Sequence, residues 1–461
     1  MVDPTGNMDE QIEAEDLIQA VLLRDLEDAL EERDTRWLSR TLSRLHPADA
    51  ADALEQLSGE GFSQMIELLG GELPSEILIE LRDEYREDAV EALPDAVVTA
   101  ALSDLDSDDA IAVLEDLQEA RRDRILDELT PEDQEPLRQA LDFDEETAGR
   151  LMQREFVAAP EFWTVGHTID HARETGSDLP EQFFDIYVVD PGFKVRGSVS
   201  LPMLLRSPRD VRLADIMTDI ETEIETGMDQ EEVAYLFQKY SLASAPVVDE
   251  SGRITGMITV DDMVDVIQEE NTEDLLALSG VTSADGSDTV LEAVKARAPW
   301  LAVNLLTAFF ASTIISFFEP ALEAFVALAI LMPVVGALGG NASSQALTVT
   351  VRAIAERELE GRAARRAVKR EVLTGLSNGA IFASLVGLIT FGWFRDMQLA
   401  WVIAVALFAT FLWAGFAGIV IPLLMKRLGA DPAVASSVFV LTLTDSVAFL
   451  CFLGLATLVL L

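Results

Sequence analysis

The sequence predicts a multidomain, mostly helical chain. An all-α superhelical domain covers 1–150, a pair of α/β domains 151–211 and 212–280, a long connecting helix 281–298, and a five-span α-helical membrane domain 299–461. Three observations carry this reading. Residues 291–461 hold 10 acidic and 12 basic residues of the chain's 81 and 33, leaving 71 and 21, a net charge of −50, in 1–290. One segment of that acidic part is repeated without gaps. The remainder holds apolar stretches of about 20 residues, the length that crosses a bilayer as a helix.

Within 10–150, short amphipathic units recur, opened by Pro or Asp: HPADAADALEQL, LPSEILIELRDE, LPDAVVTAALSDL and DSDDAIAVLEDL. Pro suits a first helical turn, where its missing N–H would be unpaired anyway, and Asp complements the helix dipole. Such an array fits stacked helical hairpins, an α-solenoid, although a plain helical bundle with similar caps fits it too.

From 151 the pattern changes to alternating strands and helices. YVVDPGFKVRGSVSLPMLL (187–205) aligns on PVVDESGRITGMITVDDMV (246–264), with Val188/Val247, Asp190/Asp249, Gly197/Gly256 and Val199/Ile258 each 59 residues apart. Each copy reads strand, turn, strand, helix. The duplication resembles a tandem pair of CBS domains, a cytosolic sensing module. Such pairs often bind adenine nucleotides with a Ser or Thr followed three positions later by an Asp that holds ribose. The resemblance therefore implies a candidate ATP site at Thr259 and Asp262. The first copy has Ser200 but Met203, so at most one nucleotide per pair is expected.

The apolar stretches lie near 299–318, 321–340, 372–394, 398–425 and 434–461, with a tight hairpin expected at Glu319-Pro320. The loop after the second span carries Arg352, Arg357, Arg362, Arg365, Arg366, Lys369 and Arg370, and that after the fourth Lys426 and Arg427; the turn after the third has only Arg395. Basic loops stay on the cytoplasmic side. This predicts a multi-pass plasma-membrane protein, in contact with lipid, with its N-terminal domains inside and its C-terminus outside. The opening MVDPTGNMDEQIEAED is acidic and without an apolar core, so no signal peptide is expected.

Composition also excludes functions. Cys451 is the single cysteine, and His46, His167 and His171 are scattered, so neither a disulfide framework nor a Cys/His metal cluster is expected. A polyanion repels phosphate, which makes nucleic acid an improbable partner. No P-loop, nucleophile elbow or metal-hydrolase motif suggests an enzyme. Only 5 of the 33 basic residues are Lys. A carboxylate-rich, Lys-poor surface fits halophilic adaptation and equally fits cation binding, and bulk charge does not separate the two.

The second span runs into PVVGALGGNASSQALTV (333–349), where glycines and uncharged polar groups interrupt the apolar run. Glycines let helices approach closely and expose carbonyls, as at a hydrated cavity; helix packing alone would not call for Asn341 and Gln345 as well. Asp445, in FVLTLTDSVAFLCFLG, is the one charge deep in an apolar run, with no basic partner in the spans. Intramembrane charges are expensive and usually functional, and an unpaired Asp suggests a cation as counter-charge. Hard divalent cations prefer oxygen ligands, and Mg²⁺ gives up its water reluctantly.

GALGGNASSQALTVTVRAIAERELEGRAARRAVKRE, the five spans and LGADPAVASSVFVLTLTDSVAFL resemble the membrane domain of the MgtE family of magnesium channels, and the order of parts matches across nearly the whole chain. The resemblance implies a homodimer whose pore lies between the second and fifth helices of both subunits. Asp445 would hold the hydrated ion, Ala337 and Gly340 would offer carbonyls, and Asn341 would begin the polar stretch. Ala337 and Ser343 stand where the family has Gly, and Ser344 and Ser437 where Asn is common, which bears on ion selectivity. The resemblance also implies a pore shut by cytosolic Mg²⁺ bridging acidic surfaces. Its carboxylates would include Asp229, Glu231, Asp262, Glu273 and Asp274, with Asp265, Glu270 and Asp431 as further candidates. The connecting "plug" helix would couple sensor to pore. Transport of another divalent cation such as Co²⁺ or Mn²⁺, and a membrane-anchored sensor that does not conduct, are the alternatives.

Overall fold

The computed structural model describes residues 21–175, 179–180, 182–278, 280–281, 290–355, 357, 359 and 361–461. The chain divides into two compact units, one ending at Gln268 and the other starting at Glu269.

The first unit opens with short helices whose starts follow the sequence signals. Pro47–Glu55 begins on a Pro, Asp95–Leu102 follows Pro94, and Ser107–Glu115 follows Asp106. Helices two apart in sequence pack on one another repeatedly: Thr35–Leu42 on Gly59–Leu69, Pro47–Glu55 on Ser75–Glu80, Asp95–Leu102 on Glu119–Glu128. That is the stacking of a superhelix. One core of Leu, Ile, Val and Ala, with Phe62 and Met65, runs through it. LPSEILIELRDE does not form one helix, because Leu81 and Arg82 are extended between Ser75–Glu80 and Asp83–Ala92. The Arg82 backbone N–H donates to the buried Glu55 carboxylate at 2.8 Å, and Arg82 Nε does so at 2.6 Å. A tertiary charge-assisted pair thus outweighs the local helical preference. Arg121 pins a second junction, donating to the carbonyls of Val90 and Leu93 at the end of Asp83–Ala92.

The duplication folds as two three-stranded sheets with identical topology. β1 (Ala158–Pro160) is parallel to β2 (Asp185–Val189), and β2 is antiparallel to β3 (Val195–Ser200). β4 (Ile224–Glu225), β5 (Ser244–Val248) and β6 (Ile254–Thr259) repeat this, including a register shift at Val247/Val248 that matches Val188/Val189. The repeated glycines have one reason. A Cβ on Gly197 would stand 2.5 Å from the Thr218 carbonyl oxygen, and one on Gly256 2.7 Å from that of Gln153. The two copies share a core of Tyr187, Val189, Val195, Val248, Ile254 and Met257.

The second unit contains five helices long and apolar enough to cross a membrane: Ala293–Ser316, Val326–Ala355, Arg362–Phe394, Met397–Arg427 and Ser437–Leu460. The fourth is the hub, 61% buried over its most apolar window against 6% for the first. The expected tight hairpin at Glu319-Pro320 is instead a short helix, Glu319–Ala324, which lets Ala321 pack into the core. Of the proposed connecting helix, 282–289 lie outside the described residues; from Val290 the chain is helical without a break through Ser316.

Glycines set the spacing between the third and fourth spans. A Cβ on Gly375 would lie 2.6 Å from the Phe411 carbonyl oxygen, and one on Gly415 2.8 Å from that of Glu371. Lipid supplies no hydrophobic force between helices, so backbone approach at small residues must hold them. Gly375→Ala is therefore expected to destabilise the detergent-solubilised protein by about 1–3 kcal/mol, read from its unfolding midpoint. Gly392→Ala in the same helix, where nothing lies within 4 Å of the added carbon, is expected to be neutral.

Candidate functional site

In the first unit, the segment 152–155 joins the helical domain to the second sheet. Gln153 exchanges two backbone hydrogen bonds with Met257 of β6, both 2.9 Å. Two residues later, the Glu155 carboxylate accepts from the Ser107 backbone N–H at 3.1 Å and from its hydroxyl at 2.8 Å. Glu155 thereby caps the Ser107–Glu115 helix, whose own N-cap residue Asp106 makes no side-chain cap. β6 ends at Thr259, and the Val260–Leu278 helix follows with Asp261 and Asp262 in its first turn. The two helix starts, DSDD and VDD, are thus brought face to face.

The resulting cluster is repulsive. Burial, and then the neighbouring Asp262 and Asp109, hold Asp108 well above the usual carboxylate range. Burial and Asp262 push Asp109 up to about 7. Asp262 rises to about 6, through burial and Asp261, against the lowering effect of Thr259, whose hydroxyl donates to it at 2.9 Å. The same hydroxyl also reaches the Asp261 carboxylate. Asp265 is raised by burial and by Asp261. Half-buried like charges crowded together are stabilised by protons or cations. Among the described residues, no three carboxylate, His or Cys groups converge on one point that could hold a bare ion.

Of the regulatory carboxylates named from sequence, Asp262 and Asp265 belong to this cluster. Asp229 caps the helix Gln230–Tyr240, its Oδ1 accepting from the Glu231 N–H at 2.9 Å, with Glu231 in that helix's first turn. In the second unit, Glu270, Glu273 and Asp274 lie on the helix that ends at Ala277 and Leu278. Ala277 packs with Leu347, Val351, Ala433 and Val440, and Leu278 joins them. Asp431 caps the last helix two residues before Ala433, accepting from its N–H at 2.7 Å. The end of the Val260–Leu278 helix and Asp431 thus both lie at one end of the second and fifth spans. Sequence reasoning missed Asp108, Asp109, Asp261 and Glu155. DSDD was visible as a dense acidic helix start, but a cap and a metal face carry the same signature.

The intramembrane residues divide between two faces of the second span, which is helical throughout 333–349. Gly336, Gly339 and Gly340 face the fourth and fifth spans. A Cβ there would lie 3.3 Å from Phe449, 2.7 Å from Thr410 and 3.3 Å from Leu441, respectively. The Gly340 carbonyl accepts from the Ser343 hydroxyl at 2.9 Å. Ala337, Asn341, Ser344, Gln345 and Thr348 form a separate, exposed stripe. Asp445 stands one helical turn from both Leu441 and Phe449, so it lies level with the 336–340 turn. It is half-buried, and no hydrogen bond or ion pair to it exists among the described residues. Close packing accounts for the glycines; it does not account for the polar stripe or for Asp445.

Three family profiles match the chain: the divalent cation transporter MgtE over 332–455, the MgtE intracellular N domain over 45–146, and the CBS domain over 213–269. The magnesium transporter MgtE of Thermus thermophilus is 35% identical over 94% of this chain and 98% of its own length. That of Bacillus subtilis is 27% identical over 90% and 92%. A crystal structure of the cytosolic domain of the Mg²⁺ channel MgtE in complex with ATP is 33% identical, covering 53% of this chain and 99% of that one with a TM-score of 0.49.

The raised carboxylates make the first unit sensitive to pH in a defined direction. A folded-state pKa above the unfolded value near 4 gives stability that is complete below that value and is lost as pH rises through the folded one. With divalent ions chelated, the unfolding midpoint of the purified protein is therefore expected to fall by about 4–8 °C between pH 5.5 and pH 7.5, the window containing the values of about 6 and 7 at Asp262 and Asp109. Asp109→Asn is expected to remove most of that fall in scanning fluorimetry.

Proposed function

The chain belongs to the MgtE family of magnesium transporters, and from that premise we propose that it is a Mg²⁺-selective channel that admits the ion to the cell and is closed by Mg²⁺ on its acidic cytosolic faces. The observation that carries the pore reading is the unpaired, half-buried Asp445 level with an uncovered polar stripe inside an apolar helix. A carboxylate in lipid without a partner is costly, and a hydrated divalent cation offsets that cost. An Asn, a Ser, a Gln, a Thr and backbone carbonyls nearby suit hydrogen bonding to the ion's water shell. A single chain leaves this stripe open on one side, so a pore requires a second copy, which supports a homodimer with the second and fifth helices at its axis. The basic loops after the second and fourth spans support a cytoplasmic N-terminal part in the plasma membrane.

Gating follows from the repulsion among Asp108, Asp109, Asp261 and Asp262. Two unit charges 4 Å apart near a protein surface repel by roughly 4 kcal/mol. When cytosolic Mg²⁺ is scarce the cluster is charged and pushes its two helix starts apart; when it is abundant, bridging ions hold them together. Asp229, Glu231, Asp265, and the group Glu270, Glu273, Asp274 and Asp431 are further positions for such ions. Thr259 and Asp262 form the candidate ribose-binding pair for ATP. Since Asp262 serves both readings, nucleotide and metal would report on one carboxylate. A second divalent cation such as Co²⁺ or Mn²⁺ as cargo is favoured only by Ser344 and Ser437, where amide ligands are replaced.

Purified protein in liposomes tests both parts. Mg²⁺ uptake by Asp445→Asn is expected to fall by about tenfold or more, the loss of at least ~1.4 kcal/mol of ion stabilisation; uptake at the wild-type rate would remove Asp445 from the pore. Wild-type uptake is expected to fall as internal Mg²⁺ rises. The Asp108→Asn/Asp109→Asn protein, which keeps Thr259 and Asp262 intact, is expected to lose that dependence, and an unchanged half-inhibitory concentration would refute the cluster as the sensor.

A further inference from the structure

At the basic end of the third span, a shallow, open groove of about 490 Å³ runs along one exposed face of this single helix, on the side turned away from the fourth span. Arg366 and Lys369 line its mouth, are exposed, and make no ion pair among the described residues. Arg370 beside them lies 3.3 Å from Glu371, which offsets part of its charge. The groove does not stop at the basic residues. It continues past Leu373 to Thr374 and Asn378, up to 12 residues or about 18 Å along the helix axis from Arg366.

Basic residues at a helix end are the ordinary signature of a membrane boundary. They do not explain a hydroxyl and an amide two to three turns further in, on a face otherwise turned to lipid. An unpaired amide in hydrocarbon is unfavourable, and Asn378 has no hydrogen-bond partner among the described residues. Further along the helix, Ile381, Leu385 and Leu388 are exposed and wholly apolar. The groove thus grades from cationic to neutral hydrogen-bonding to apolar.

We propose that this groove seats one anionic phospholipid. Arg366 and Lys369 bind the phosphate, Thr374 and Asn378 donate to the glycerol and ester oxygens, and an acyl chain lies along Ile381, Leu385 and Leu388. The graded chemistry matches that molecule from end to end. A free phosphate would use only the mouth, and a soluble acidic segment would gain nothing from the apolar extension. Lys426 and Arg427, exposed at the end of the fourth span, add to the attraction.

Native mass spectrometry of the full-length protein in detergent tests this with phosphatidylglycerol, with phosphatidylcholine of the same chains, and with inorganic phosphate. Phosphatidylglycerol is expected to be retained at about tenfold lower concentration than phosphatidylcholine, because each basic residue contributes roughly a factor of five at such a surface. Arg366→Gln/Lys369→Gln is expected to abolish that preference. Asn378→Leu, which leaves the charge unchanged, is expected to lower retention severalfold. Equal retention of the two lipids, full retention by either variant, or displacement by millimolar inorganic phosphate would overturn the proposal. So would a change of oligomeric mass in the Arg366/Lys369 variant, which would assign the face to a second protein copy. The readout is bound lipid mass, so the result stands apart from whether Asp445 carries flux.

Discussion

Like-charge repulsion between two helix starts is the constraint around which the first unit is built. Asp108 and Asp109 on one helix, and Asp261 and Asp262 on the other, are pressed together although each is an anion at neutral pH in water. What holds them is a short covalent strap. Gln153 zips to β6, and Glu155 supplies the cap that Asp106 does not. Gly256 permits the strap's passage, because any side chain there would meet the Gln153 carbonyl. The geometry is thus over-determined by hydrogen bonds that carry no net repulsion, and the repulsion is left to be balanced by whatever cation is present. Under the proposed gating scheme, such an interface gains stability with the logarithm of the cation concentration.

The membrane unit divides its labour similarly, between residues that fix spacing and residues left unsatisfied. Gly336, Gly339, Gly375, Gly415 and Gly418 bring backbones close enough for dispersion to hold the helices. Ser343, Thr350, Thr410 and Ser446 satisfy their hydroxyls on carbonyls three or four residues back, and so cost nothing in lipid. Asp445, Asn341, Ser344 and Gln345 have no such internal solution among the described residues. Since satisfied alternatives are used elsewhere in the same helices, the unsatisfied groups mark where something outside the chain must complete them.

Much of this was legible in the sequence, and the failures have physical causes. The 59-residue offset located both sheets, down to the paired glycines, because a strand period of two and a close backbone crossing leave a fixed residue pattern. The five spans follow from length and hydropathy alone. The superhelix could not be told from a bundle, because caps record where helices start and not which helices touch. The break at Arg82 was hidden because its cause, Glu55, lies 27 residues away. Asp108 and Asp109 were read only as a helix start for the same reason. Their meaning comes from Asp262, more than 150 positions along the chain. Within the second span, composition mixed two faces that the helix separates: glycines that pack and polar groups that do not.

The Val260–Leu278 helix carries carboxylates near both of its ends. Asp261, Asp262 and Asp265 occupy its first turns, and Glu270, Glu273 and Asp274 its last, where Ala277 and Leu278 pack on the second and fifth spans. A helix of 19 residues is about 28 Å long and bends little. Cations at the first end relieve the repulsion from Asp108 and Asp109. Asp431 stands at the start of the helix that carries Asp445. Under the proposed gating scheme several ions then bias a single two-state element, and the response to Mg²⁺ is steeper than any one weak, hydrated site could give. Weak individual sites are also what the spread-out carboxylates permit. Under that scheme the dispersion of the ligands, which looks unfavourable for metal binding one ion at a time, would let closure track Mg²⁺ over a narrow range.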